Sequence, residues 1–251
     1  MRFVHKCAMY ASNGLRNQLV RIDPSTKDIK IFQPPPFNDL YTAKDGIWLT
    51  QTGNVFSFVS FATESFTNYP IPTPLSLPLG LFVASDGVVY IAELLANKIL
   101  TYGPKTDVTS ECDLPEPLQM PTVIRAEKDG FVYFALFTGN GIGRINMKTH
   151  KIEIFHTNQL LGIGADDAID KYGGVWYSFF NVDRLARLDT DTLKFSYVDF
   201  PNTGASIGLP GTLSPLPPYV DVAVNYGPGD AIYFTDISGN RVGRYSLSGL
   251  Y

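Results

Sequence analysis

Six aromatic residues recur along this chain in one local setting, and they constrain its fold more than any other feature. Tyr10, Trp48, Tyr90, Tyr133, Trp176 and Tyr233 are separated by 38, 42, 43, 43 and 57 residues. Around each, a short apolar run, a polar turn and a second short run repeat. The copies are VVYIAELLANKILTY (88–102), FVYFALFTGNGIGRIN (131–146), GVWYSFFNVDRLARLD (174–189) and AIYFTDISGNRVGRYS (231–246). AMYASNGLRNQLVRID (8–23) fits the same pattern, and GIWLTQTGNVFSFVS (46–60) fits with a shorter turn. A glycine-bearing turn precedes most anchors, at 44–46, 85–87, 128–130 and 171–174. A further strand-like run follows, at 28–32, 64–70, 150–155 and 193–200, and then a proline-rich crossing at 33–37, 70–78 and 114–121.

Four short strands in roughly 40 residues is the period of a propeller blade. One four-stranded sheet cannot bury both of its faces, whereas sheets packed in series cover one another. No stretch of useful length has a 3.6-residue period. The expected fold is therefore all-β, a single β-propeller domain over 1–251 with six blades. Repeat one is expected to lack its innermost strand and repeat six its outermost, and an open edge invites pairing with another chain. The expected assembly is a monomer or a homodimer. The last spacing carries about 14 residues beyond the 43-residue repeat, within NTGASIGLPGTLSPLPPY (202–219). That segment reads either as a tolerated surface insertion or as a lid over a pocket.

Charge and cysteine usage exclude several classes. The net charge is −4. The chain has no Lys/Arg cluster of the kind that nucleic acid requires. No apolar run reaches membrane-spanning length, so no membrane partner is expected. The start of the sequence, MRFVHKCAMYAS, lacks the apolar core and cleavage site of a signal peptide. Cys7 and Cys112 read as two reduced thiols, and the expected location is the cytoplasm. Cys7 has no patterned His partner, and neither a G-x-S-x-G elbow nor a zinc-type Cys/His spacing occurs.

LFTGNGIGRIN (136–146) carries three alternating glycines before a basic residue. A dinucleotide loop must follow a parallel strand and open a helix. Here the glycines join two antiparallel strands, and ISGNRVGRY and LLANKILTY fill the same slot in other repeats. The stretch is therefore a hairpin, with TGNG (138–141) expected to supply positive φ values. Gly143 is expected to permit close packing against the next blade. Arg144, Arg187 and Arg244 recur at one repeat position, which points to packing or surface pairing rather than chemistry.

The best copies, YFTDISGNRVGRY (233–245) and YFALFTGNGIGRI (133–145), resemble the repeat of the virginiamycin B lyase (streptogramin lyase) family. YIAELLANKILTY, YASNGLRNQLVRI and the YPIPTP link (69–74) resemble it more weakly. The resemblance covers most of the chain and implies a β-propeller. It also implies linearisation of a cyclic depsipeptide antibiotic by metal-assisted, non-hydrolytic C–O elimination. The family uses a Glu three residues after the anchor aromatic and a His about eleven before it, both at one mouth of the central channel. In this chain the first position holds Asn13, Gln51, Glu93, Leu136, Phe179 and Asp236. The second holds Asn38, Leu79, Thr122, Ala165 or Asp166, and Asp221. None is His; His5, His150 and His156 fall elsewhere, the last two flanking an outer strand and expected to face solvent.

The expected site is thus a mouth with a polar arc and an apolar arc. Asn13, Asn38, Gln51, Thr122 and Asp166 serve as polar substrate contacts, and Leu136 and Phe179 form the apolar side. Such a site suits a largely apolar ligand with one or two polar handles. Glu93, Asp221 and Asp236 are the candidate catalytic groups. Glu93, among apolar neighbours, reads either as an acid/base of raised pKa or as a structural carboxylate. Asp221 and Asp236 could divide acid and base roles or hold a divalent metal through oxygen, although turn capping also explains Asp236. Asp166 and Asp167 read as a solvated turn or an acidic rim. Asp45, Asp86 and Asp129 belong to their turns.

Three functions follow. The first is a small-molecule lyase, isomerase or cyclase acting on an apolar natural product, with no cofactor or with one divalent metal (Mg or Ca). The second is a non-catalytic propeller that binds a peptide or protein. The third is a metal-dependent, lactonase-like hydrolase.

Overall fold

The computed structural model describes residues 2–4, 8–13, 18–182, 184–199, 221–236 and 241–248. All regular structure among them is β. The chain divides into two compact units, residues 1–111 and 112–251. Sheet one is β1 (Arg2–Val4), β2 (Ala8–Asn13), β3 (Gln18–Ile22) and β4 (Ile29–Phe32). Sheet two is β5 (Phe37–Thr42), β6 (Gly46–Gln51), β7 (Val55–Ser60) and β8 (Phe66–Pro70). Sheet three is β9 (Pro78–Val83), β10 (Val89–Glu93), β11 (Lys98–Gly103) and β12 (Val108–Asp113). The second unit holds sheet four, of β13 (Pro121–Lys128), β14 (Phe131–Leu136), β15 (Gly141–Asn146) and β16 (Ile152–His156). Sheet five is β17 (Gly164–Ile169), β18 (Gly174–Phe179), β19 (Arg184–Asp189) and β20 (Phe195–Asp199). Sheet six is β21 (Asp221–Gly227), β22 (Ala231–Asp236) and β23 (Arg241–Ser246). Every sheet is a meander in chain order.

The six expected blades correspond to these six sheets. One detail differs: sheet one has its innermost strand. β1 pairs with β2 in the register Arg2↔Tyr10, a three-residue strand too short to show as a pattern in sequence. Sheet six has three strands among the described residues, and the 202–219 insertion lies outside them.

Burial explains why the second strand of each repeat reads as an unbroken apolar run. β6, β10 and β18 are buried at every residue; for β6 and β18 the reason is that both faces of a sheet lying between two others are covered. The outer strands β12 and β20 are only partly buried. The cores lie between neighbouring sheets. Tyr10, Leu19, Ile47 and Val59 join sheets one and two, and Trp48, Phe56, Leu81 and Tyr102 join sheets two and three. In the second unit, Tyr133 and Ile142 meet Tyr177 and Phe179 between sheets four and five. Trp176 and Leu185 meet Val224 and Ile232 between sheets five and six.

The glycine hairpin works differently from the expectation. The positive φ in TGNG belongs to Asn140 (φ 49), and Gly139, Gly141 and Gly143 are not among the positive-φ residues. Those glycines give room instead. A Cβ on Gly141 would stand 2.1 Å from the Phe155 carbonyl oxygen, and one on Gly143 would stand 2.2 Å from the Phe134 ring. Phe134 is the cross-strand partner of Gly143, so the close approach is within sheet four and not against the next one. Gly243 and Phe234 repeat the arrangement. An aromatic ring laid over a facing glycine fills the space that the missing side chain leaves. Since Phe134 is fully buried, Gly143→Ala should destabilise the fold by about 1–3 kcal/mol, read as a lower urea midpoint. An unchanged midpoint would show that the ring moves freely.

Asn140 also ties the hairpin to the next link. Its Nδ2 donates to the Gln159 carbonyl, and its Oδ1 accepts from Thr157 Oγ1 at 2.6 Å. Asn54 does the same in the first unit, donating to the Ile71 and Thr73 carbonyls at 2.9 Å and accepting from Ser76 N at 3.0 Å. Asn181 donates to the Leu161 carbonyl at 3.0 Å and accepts from Ile163 N at 2.8 Å. Asn54 and Asn140 thus fix where the following sheet begins, and Asn181 fixes the link that leads into its own sheet.

Candidate functional site

Glu93 is the residue in the first unit whose environment is least like that of an ordinary carboxylate. It ends β10, opposite Lys98 of β11 and Pro78 of β9. It is fully buried, and neither carboxyl oxygen accepts a hydrogen bond. The neighbouring Ser76 hydroxyl is committed to Asn54 Oδ1 at 2.8 Å. Burial, and then the charge of Glu111, push the Glu93 pKa up to about 7, against the opposing pull of Ser76 and Lys98. Glu111 has the opposite fate. Partial burial works to raise it, but hydrogen bonds from Lys98 Nζ (2.9 Å), Thr73 Oγ1 (2.8 Å) and Thr73 N (2.9 Å) hold it below its ordinary range. One acidic group of this cluster is therefore firmly ionised and paired, and the other is poised near neutrality. Among the described residues no loop amide donates to Glu93.

The polar residues expected to line a mouth in this unit serve the framework. Gln51 is buried, and its Nε2 donates to Ser57 Oγ at 2.7 Å, which in turn donates to Asn68 Oδ1 at 2.6 Å. Asn38 Nδ2 donates to the Pro78 carbonyl at 2.6 Å, and Asp39 Oδ2 accepts from Leu81 N at 3.2 Å, so both bind sheet two to sheet three. Asn13 ends β2 opposite Gln18; its side chain lies outside the described residues.

In the second unit the expectations for Asp166, Asp167, Leu136 and Phe179 are corrected. Asp166 and Asp167 are not a solvated turn but buried residues of β17. Asp166 accepts from Val224 N at 3.1 Å and Asp167 N at 2.9 Å, and Asp167 accepts from Arg125 N at 3.2 Å. These carboxylates clamp sheet five to both neighbours. Thr122 is buried too, with Oγ1 donating towards the Ala135 and Ala165 carbonyls at 3.3 and 3.4 Å.

Leu136 and Phe179 have no exposed surface and cannot be the apolar wall of an open pocket. Phe137 and Phe180 are half-buried, with their rings edge to face at 6.4 Å. Leu118 and Leu161, on the links hydrogen-bonded to the same two hairpins, are 77% and 68% exposed, both at positive φ. Phe137 and Phe180 follow the last residues of β14 and β18 and belong to the turns. Both are aromatics four residues after their anchors, Tyr133 and Trp176. Asp221 and Asp236 are Cα partners on β21 and β22, and Asp236 also faces Arg241 of β23. Their side chains lie outside the described residues.

A histidine and a glutamate do meet, though not where the resemblance would place them. His156 Nε2 stands 3.0 Å from Glu116 Oε2, and Nδ1 stands 2.8 Å from the Gly139 carbonyl oxygen. Both ring nitrogens are occupied by partners of the fold, so the pair ties a link to a hairpin and leaves no nitrogen for a substrate. The recurrent arginines are structural as well. Arg144 donates to Glu153 at 2.9 and 2.7 Å and stacks on Phe131, and Arg187 is buried against Asp170 at 2.8 Å. No group of three or more His, Cys, Asp or Glu able to hold a metal occurs among the described residues, and none of their helices could cross a membrane.

Two inter-sheet clefts remain open. One of about 190 Å³ lies between sheets one and two, beside Tyr10 and Arg21. A wider groove of about 470 Å³ lies between sheets five and six, beside Trp176 and Tyr245.

No family model matches the sequence, and no curated protein matches it. Solved structures match its shape. A catalytically inactive histidine-to-alanine variant of virginiamycin B lyase from Staphylococcus aureus with quinupristin superposes with a TM-score of 0.85 at 19% identity, over 98% of this chain and 80% of that one. A streptogramin B lyase structure gives 0.80 at 23% identity, over 96% and 80%. An auxiliary nutrient binding protein from Bacteroides thetaiotaomicron gives 0.68 at 12% identity, over 94% and 66%. At such identities the likeness speaks for fold: this chain is an all-β, six-bladed β-propeller that shares its chain trace with the streptogramin B lyases.

Proposed function

We propose that the chain is a non-redox small-molecule enzyme, a lyase, isomerase or cyclase acting on a largely apolar natural product, with Glu93 as the group that handles the proton. The observation that carries this reading is the fully buried Glu93 carboxyl without a hydrogen-bond partner. Such a group weakens the fold, and shifted carboxyls of this kind concentrate where protons are moved. At a pKa of about 7 it can both take a proton from carbon and return one to a leaving oxygen near neutral pH. Lys98, already paired with Glu111, supplies a fixed positive charge beside it. The turn at 94–97 is held over the link at 71–77 by Leu94 N to the Leu77 carbonyl (3.2 Å) and Leu95 N to the Ser76 carbonyl (2.9 Å). These two segments part to admit a substrate. The shared trace with the streptogramin B lyases supports the lyase class; quinupristin belongs to that other protein and serves here as a probe.

Elimination, isomerisation and cyclisation leave the substrate mass unchanged, whereas hydrolysis adds one water. The test is incubation with quinupristin and a panel of apolar macrocycles, with chelator and with added Mg or Ca, followed by mass spectrometry. The expected result is mass-neutral conversion, slowed about 100-fold or more in Glu93→Gln, a variant that melts no lower than the parent. A hydrated product favours the hydrolase. Saturable binding without conversion favours the binding propeller. Either outcome removes the proposal.

A further inference from the structure

The cleft between sheets one and two contrasts with the filled space between sheets two and three, and the two pairs of sheets differ at one repeat position that faces it. In sheet three, Tyr102 stands across from Val89, just before the anchor Tyr90. Its ring fills the space against sheet two, 5.2 Å from Phe56 and 4.8 Å from Tyr69. In sheet two the corresponding residue, across from Ile47, is Val59. Valine shares the core with Tyr10 and Leu19 but is smaller than tyrosine, and a cleft of about 190 Å³ lies beside it. Interiors are otherwise close-packed, so an unfilled space of this size is a departure.

Its walls have two characters. Leu19, Ile47, Val59 and the Phe61 ring, stacked on Tyr10 at 5.4 Å, make an apolar seat. At one side stands Arg21, the cross-strand partner of Tyr10. Arg144 and Arg187, at the same repeat position, each hydrogen-bond a carboxylate. Arg21 instead has Asp23 at 3.8 Å, beyond hydrogen-bond reach. Glu64, at the rim, is taken by Lys30. Arg21 also meets the Tyr10 hydroxyl; among the described lining residues its guanidinium is the cation, and its planar fork matches a carboxylate with two parallel hydrogen bonds.

We propose that this cavity is a binding site for a small organic carboxylate with an aromatic or branched apolar body, seated on Arg21. The volume sets the size. It falls below the ~300 Å³ of pockets for drug-sized ligands, while a cavity of about 150 Å³ holds benzene. One ring and a short carboxylate arm fill it. The site is separate from Glu93 and does not depend on the reaction proposed there.

Phenylacetate is the probe and benzylamine, with the same body and the opposite charge, the control. Saturation-transfer NMR and calorimetry should show saturable binding of phenylacetate, at least ten-fold tighter than benzylamine. Arg21→Gln should weaken it ten-fold or more. Val59→Tyr, which places the residue of sheet three in sheet two, should abolish binding while the melting temperature holds or rises. Glu93→Gln should bind like the parent. No saturable binding by the parent overturns the proposal, as does equal binding of benzylamine. Undiminished binding by Arg21→Gln overturns it also, even if Val59→Tyr does not fold.

Discussion

Asp170→Ala should destabilise the protein by about 3–5 kcal/mol, the loss seen when one partner of a buried ion pair is removed. Asp170 precedes β18 and has no exposed side-chain surface, while Arg187 retains 8%. One carboxylate oxygen accepts from Arg187 Nε and Trp176 Nε1, each at 2.8 Å. The other accepts from Tyr172 N at 2.8 Å and Gly174 N at 2.9 Å. Alanine leaves a buried guanidinium, an indole N–H and two backbone amides without this acceptor. Asp189, 3.6 Å from Arg187 and 38% exposed, recovers only part of the loss. The equivalent change at Glu153, the more exposed partner of Arg144, should cost about 1 kcal/mol or less. Urea unfolding of both variants checks the contrast. Similar losses at the two sites would show that burial does not set the strength of these pairs.

Glu93 should make stability fall as pH rises across the neutral range. Unfolded, its carboxyl loses its proton near 4.5; folded, it keeps it to about 7. Between these values the native state holds a proton that the unfolded chain has released, so each rise in pH favours unfolding. The span corresponds to about 3 kcal/mol. Below 4.5 both states are protonated and Glu93 contributes no slope. Glu111, whose folded pKa is lowered, acts in the other direction. Its stabilisation is present above about 4.5 and is lost as pH falls through its folded value, so the two windows do not overlap. Denaturant unfolding at pH 5, 6, 7 and 8 should show the parent weakening relative to Glu93→Gln by roughly this amount. Parallel curves would mean that the carboxyl is solvated or paired in the folded protein.

Much of the architecture was legible before any coordinates. The spacing of the six anchors predicts the six sheets, and the turn residues mark the hairpins. The recurrence of Arg144, Arg187 and Arg244 separates packing from chemistry. Missed features are of another kind. β1 is too short to leave a pattern, and the hairpin glycines serve close approach where positive φ was expected. Asp166, expected as a substrate contact or in a solvated turn, is held by the amides of Val224 in sheet six and of its neighbour Asp167.

The sequence by itself determined the local structure of this protein: which segments are strands, where they turn and in what order they pair. Turn chemistry and cross-strand ladders act between residues close along the chain, and a 43-residue repeat displays them several times over. Only the tertiary structure decided what each side chain faces. Leu136 and Phe179 end their strands fully buried between sheets, while Phe137 and Phe180, the first residues of the turns, are partly exposed. Whether Glu93 finds a donor, and whether Val59 leaves a cavity where Tyr102 fills one, depends on groups brought together from different strands and turns. Such packing has no period, and so it leaves no repeat to read.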